Sequence, residues 1–132
     1  MPNFTLKQTL IADGITCTGL FLLGVFATAT VAGLLGLPVT TIAVAGWIGL
    51  PSALLMFFVV SQQNPSRALA NFIAVGNFLW VAASVVVLAL YAQSMSTLGI
   101  IVVAAQALVV LEFAIFEWRG AKKLAQPAAV FS

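Results

Sequence analysis

The stretch TLGIIVVAAQALVVLEFAIFEWRGAKK, residues 97–123, decides the fold. A helix rises 1.5 Å per residue, so about 20 apolar residues cross a hydrocarbon core of about 30 Å. Leu98 to Phe116 supplies that length. A soluble helix this long would carry a polar stripe, whereas only Gln106 and Glu112 interrupt this one. Ser96 or Thr97 is placed to cap the first turn, and Gly120 to end the helix in a left-handed conformation. Trp118 belongs at the headgroup level. Arg119, Lys122 and Lys123 favour the cytoplasm under the positive-inside tendency, so a span over 97–118 is expected with the C-terminus inside. Glu117, beside these markers, is expected to be interfacial and solvated, and 120–132 to form a short tail.

Composition agrees with a membrane domain. An ordinary soluble domain has about a quarter of its residues charged. This chain of 132 residues has 6% charged and 63% apolar residues, with a mean hydropathy of +1.19. The net charge of +2 rests on five basic residues, too few and too close to the membrane for nucleic-acid binding. Cys17 is the single cysteine, so no internal disulfide forms. Histidine is absent, which removes the commonest ligand for haem and for many metals; no cofactor or metal is expected. Nothing suggests an enzyme either: there is no serine in a nucleophile elbow, no phosphate-cradling glycine loop, and no cation near Cys17 in sequence to activate it.

Outward from residue 97, Gln93-Ser94-Met95 reads as a tight uncharged turn. It closes a span expected over 66–92, with Asn64 as cap and Pro65 at the first helical position. The polar linker Ser61 to Arg67 separates it from a span over 41–61, started by Thr40 or Thr41 and kinked at Pro51. Small residues at Ala45, Gly46, Gly49, Ser52 and Ala53 permit close helix contact, within a bundle or in a dimer. The first span, over 8–35, opens on the capping-box spacing Thr5-Leu6-Lys7-Gln8 and closes on Gly33, Gly36 and Pro38. A signal peptide is the competing reading, with Lys7 before an apolar core and Ala27-Thr28-Ala29 as a cleavage site. Asp13 inside the approach, and an apolar run well past Ala29, favour a span.

Charge completes the topology. No charged residue occurs from Gly14 to Ser66 or from Ala68 to Leu111. Four crossings therefore put Lys7, Arg67, Arg119, Lys122 and Lys123 on one side. The expected fold is an all-α membrane protein, a four-transmembrane-helix bundle in the lipid bilayer with cytoplasmic N- and C-termini.

Polar groups inside such a bundle need partners, because hydrocarbon supplies none. The candidate intramembrane cluster is Asp13, Asn71, Asn77, Trp80, Gln106 and Glu112. At 100° per residue Asn77 and Ser84 share a face, while Asn71 and Asn77 diverge by about 120° and address different neighbours. A carboxylate near the bilayer centre costs about 3 kcal/mol on insertion scales. Asp13 and Glu112 at similar depth are placed to share a proton or bind a cation. Structural glue between helices, with Lys7, Arg67 or Arg119 reaching back, accounts for the same residues.

The early Asp13, Gly36-Leu37-Pro38, Leu50-Pro51, Asn77-Phe78-Leu79-Trp80 with Ser84, Leu98-Gly99, and Gln106-Ala107 before an acidic and basic end resemble a group of small bacterial four-span proteins. The resemblance implies the topology and a bacterial inner-membrane location, and carries no activity. A second comparison is with the small multidrug resistance transporters, which also have four short helices and a carboxylate in the first. Asp13 stands where those have glutamate, and their Tyr/Trp/Gly-rich signature has no counterpart. The leading functional expectation is a non-enzymatic scaffold or accessory subunit, self-associating or part of a larger membrane complex. The alternatives are a small proton- or cation-coupled transporter or channel, and a bundle binding lipid, quinone or another apolar ligand against Trp80.

Overall fold

A computed structural model describes residues 5–124. Among them are five helices and no strand: α1 (Leu6–Phe26), α2 (Thr28–Leu35), α3 (Val39–Ser61), α4 (Arg67–Tyr91) and α5 (Thr97–Lys122). Four of these, α1, α3, α4 and α5, are long and apolar enough to cross a membrane, and the fold is an all-helical four-span bundle. The expected tail from residue 125 onward lies outside the described residues.

The capping box forms. Thr5 Oγ1 accepts from the Gln8 amide at 3.1 Å, and Gln8 Oε1 accepts from the Thr5 amide at 3.0 Å. The first span is not one helix, however. It breaks at Ala27, whose φ of −125° leaves the helical region. The Thr28 hydroxyl donates to the carbonyls of Gly24 at 2.6 Å and Val25 at 3.0 Å, back-bonding of the kind that bends helices. α2 then carries the span to Gly36, which takes the left-handed conformation at φ 73°.

Three expected boundaries move. α3 starts at Val39 with Pro38 before it, so Thr40 and Thr41 fall inside the helix, and Pro51 sits within a helix that continues to Ser61. α4 is capped by Ser66, not Asn64: Ser66 Oγ accepts from the Leu69 amide at 3.3 Å, leaving Asn64 and Pro65 in the linker. α5 starts at Thr97 with Ser96 as its cap, Ser96 Oγ accepting from the Gly99 amide at 2.9 Å, but its far end moves: the helix runs through Gly120 to Lys122. Gly120 does not end the helix. It marks a close crossing, since a Cβ there would stand 2.9 Å from Leu6 Cβ.

α1 packs chiefly on α3 and α4 on α5, with α1 and α5 joining the two pairs. Contacts of Gly14 with Phe57, Cys17 with Gly49 and Gly24 with Gly46 make α1 and α3 antiparallel. The small residues singled out on α3 thus serve packing inside the bundle. At one end Leu10, Met56, Val59 and Ile73 form a core layer, with Leu6 and Leu69 against it. At the other, Ala32, Leu37, Ile42, Met95 and Val103 form a second layer. There the Ser96 amide donates to the Leu35 carbonyl at 3.1 Å and its hydroxyl to Leu34 at 2.7 Å, fastening the two far turns together. Phe72 and Leu79 point outward, the lipid-facing direction of a membrane bundle.

Candidate functional site

The polar side chains lie between the two apolar layers, in two separate clusters. The first joins three helices. Asp13 on α1, Asn77 on α4 and Glu117 on α5 are 1%, 8% and 0% exposed. The Asn77 side-chain nitrogen donates to Asp13 Oδ2 at 2.6 Å and to Glu117 Oε1 at 2.5 Å. An amide nitrogen carries two hydrogens, so both are engaged and the donor is saturated. One turn along α1, the Cys17 thiol donates to the remaining Asp13 oxygen at 3.7 Å. Glu117 Oε2 is buried and accepts no hydrogen bond, while the Asp13 and Glu117 carboxyls lie within hydrogen-bond reach of each other.

Among the described residues no lysine or arginine pairs with either acid. Buried charges are ordinarily paired. Here two carboxyl groups converge on one neutral amide in a water-poor interior. A proton or a small cation at Glu117 Oε2 would supply the partner that this oxygen lacks.

The second cluster ties α4 to α5. Trp80 Nε1 donates to Gln106 Oε1 at 2.8 Å, and Gln106 Nε2 donates to Ser84 Oγ at 2.8 Å and to the Val103 carbonyl at 2.9 Å. The Ser84 hydroxyl completes the circuit by donating to the Trp80 carbonyl at 2.9 Å. Every polar hydrogen of this group has an acceptor. The indole N–H that a ligand would have used is already taken.

The six residues expected to cluster therefore divide. Asp13 and Asn77 meet in one site, and Trp80 and Gln106 in the other. Asn71 is half-buried and belongs to neither. Glu112 is exposed, lining a cavity of about 90 Å³ with Gln8, Thr9 and Phe113. It is not the partner of Asp13. That place belongs to Glu117, and the expectation that Glu117 is solvated is overturned by its complete burial. The reason is angular. The inward face of α5 is Gly99, Val103, Ala107, Val110, Ala114, Glu117 and Ala121, spaced by three or four residues. Glu117 falls on that small-residue stripe and Glu112 does not. The stripe was the signal available in the sequence.

The topology markers gather at one end. Leu6 meets Gly120 there, so Lys7 lies at the same end as Arg119, Lys122 and Lys123, and Arg67 follows from the packing of Leu69 in the same layer as Leu6. Lys122 Nζ sits 5.8 Å from the Trp118 ring centroid.

Comparison with protein-family profiles, curated proteins and solved structures finds no match. Fold and site together define a small multi-pass integral membrane protein with an acid–amide–acid cluster in its interior.

Proposed function

We propose that this protein is a small proton- or cation-coupled transporter whose coupling site is Asp13, Asn77 and Glu117. The observation that carries this reading is the convergence of two buried carboxyls on one saturated amide, with an orphaned oxygen on Glu117 and, among the described residues, no cationic side chain to compensate. Helix glue needs no second acid. Two acids at one point in a bilayer are costly unless a proton or cation neutralises at least one of them, and a bound proton or cation that can exchange is what a carrier uses. The site spans α1, α4 and α5, so its occupancy alters how the two helix pairs are held together. That is the linkage a carrier needs between ion binding and helix movement. We place the chain in a bacterial inner membrane with the basic end cytoplasmic, on the strength of its five basic residues at one end.

The test is flux in proteoliposomes under an imposed pH or sodium gradient. Wild type is expected to dissipate the gradient, and Asp13→Asn and Glu117→Gln to abolish this while keeping the helix content and oligomeric state. Unchanged flux in both variants rejects the assignment.

The scaffold reading has one observation in its favour. The Trp80–Gln106–Ser84 circuit is closed and makes the α4–α5 pair a fixed unit, as an accessory subunit requires. Recovery in mild detergent with a larger partner of fixed stoichiometry, and no flux, would select it.

A further inference from the structure

We propose that the cleft between the start of α1 and the end of α5 binds the phosphate of an anionic phospholipid. This site is separate from the acid cluster, and its test does not depend on transport. The cleft is a cavity of about 400 Å³. Its walls divide by chemistry: Leu6, Phe116 and Leu124 are apolar, while Thr5, Arg119 and Lys123 are polar or cationic. Arg119 and Lys123 are exposed and have no acidic partner among the described residues. The acid closest to them in sequence, Glu117, is turned inward and engaged by Asn77, so it does not neutralise this end. The cleft also opens on the N-terminus of α1, where the helix dipole adds positive potential.

Depth selects the ligand. Arg119 follows Trp118 directly, at the end of a membrane-spanning helix, which is the level of headgroups and not of bulk water. A guanidinium beside an ammonium suits a phosphodiester: the first offers a planar fork and the second a point charge. The apolar walls suit the glycerol and first acyl carbons below it. Basic pockets between helices at the surface of a membrane protein recognise anionic headgroups on this logic.

The experiment is native mass spectrometry of the full chain in mild detergent, titrated with phosphatidylglycerol or with phosphatidylcholine. Wild type is expected to retain phosphatidylglycerol in preference. The double variant Arg119→Gln with Lys123→Gln is expected to weaken that retention by about tenfold or more. The double variant Lys7→Gln with Lys122→Gln removes the same charge from the same end outside the cleft, and is expected to keep it. Equal loss in the two double variants would reduce the effect to diffuse surface charge and overturn the site. Equal retention of phosphatidylcholine by wild type would overturn it too. Displacement of phosphatidylglycerol by inorganic phosphate alone would reassign the cleft to a soluble anion and overturn the lipid.

Discussion

Gly24 on α1 and Gly46 on α3 meet backbone to backbone: a Cβ on Gly24 would stand 2.7 Å from the Gly46 Cα, and one on Gly46 2.8 Å from the Gly24 carbonyl carbon. Backbone cannot rotate away as a side chain can. Helices in a membrane gain no hydrophobic drive from meeting each other, so their association depends on such close approach. Gly46→Ala is therefore expected to cost about 1–3 kcal/mol, the range for forcing extra volume into a packed site. Gly33→Ala, where nothing lies within 4 Å, is expected to be neutral or slightly stabilising. Reversible unfolding in mixed micelles compares the two, and equal behaviour would mean that α1 and α3 do not approach this closely.

Asn77 and Asn71 make a second pair of like residues with unlike surroundings. Asn77 donates to an acid on each of two other helices, whereas Asn71 stands outside the cluster. Hydrogen bonds to charged groups are worth about 1.5–3 kcal/mol in water-soluble proteins, and those between membrane helices average nearer 0.6. Asn77→Leu removes two at once, leaving Asp13 with only the Cys17 thiol as donor and Glu117 without its amide donor, so a loss of about 1–3 kcal/mol is expected. Asn71→Leu is expected to change stability by less than about 0.5 kcal/mol. The same unfolding assay decides between them.

Trp80 reports on the second cluster by its own fluorescence. Gln106→Leu removes the acceptor of the indole N–H and the donor to Ser84. An indole without its hydrogen bond, in a drier pocket, is expected to emit to the blue of wild type when Trp47 and Trp118 are replaced by phenylalanine. An unshifted spectrum would show that the Trp80–Gln106 bond does not form in the membrane.

How far the sequence carries this structure depends on the physical origin of each feature. Span count follows from apolar length and sparse charge, properties summed over many residues, and four helices are long and apolar enough to cross a membrane. Single-residue signals did less well. Asn64-Pro65 and Ser66 are both competent openings for α4, and the choice of Ser66 rests on local geometry that composition does not encode. The break at Ala27 needed the Thr28 hydroxyl to turn back on Gly24, one of several such threonine options in the chain. Asp13, Asn77, Trp80 and Gln106 were legible as buried polar groups that require partners. Who partners whom depends on the rotation of α5, for which the stripe from Gly99 to Ala121 is the one sequence signal, and which residues of α1 and α4 meet that stripe is set by tertiary packing. Glu117 was misplaced by its interfacial neighbours Trp118 and Arg119, which mark depth but not direction.

That misplacement gives a direct test, since Glu112 and Glu117 sit on one helix with the same side chain and opposite exposure. Glu117→Ala empties part of a fully buried site and leaves one Asn77 hydrogen without its acceptor, a loss expected at about 1–3 kcal/mol. Glu112→Ala removes an exposed side chain with no hydrogen bond among the described residues, and is expected to stay within about 0.5 kcal/mol of wild type. Flux is expected to follow the same division: lost with Glu117 and retained without Glu112. Unfolding and flux measured side by side on the two variants separate a structural role from a coupling role. Loss of stability with flux intact in Glu117→Ala would leave the cluster as a helix lock alone, and reversal of the two residues in both assays would place α5 in the wrong rotation.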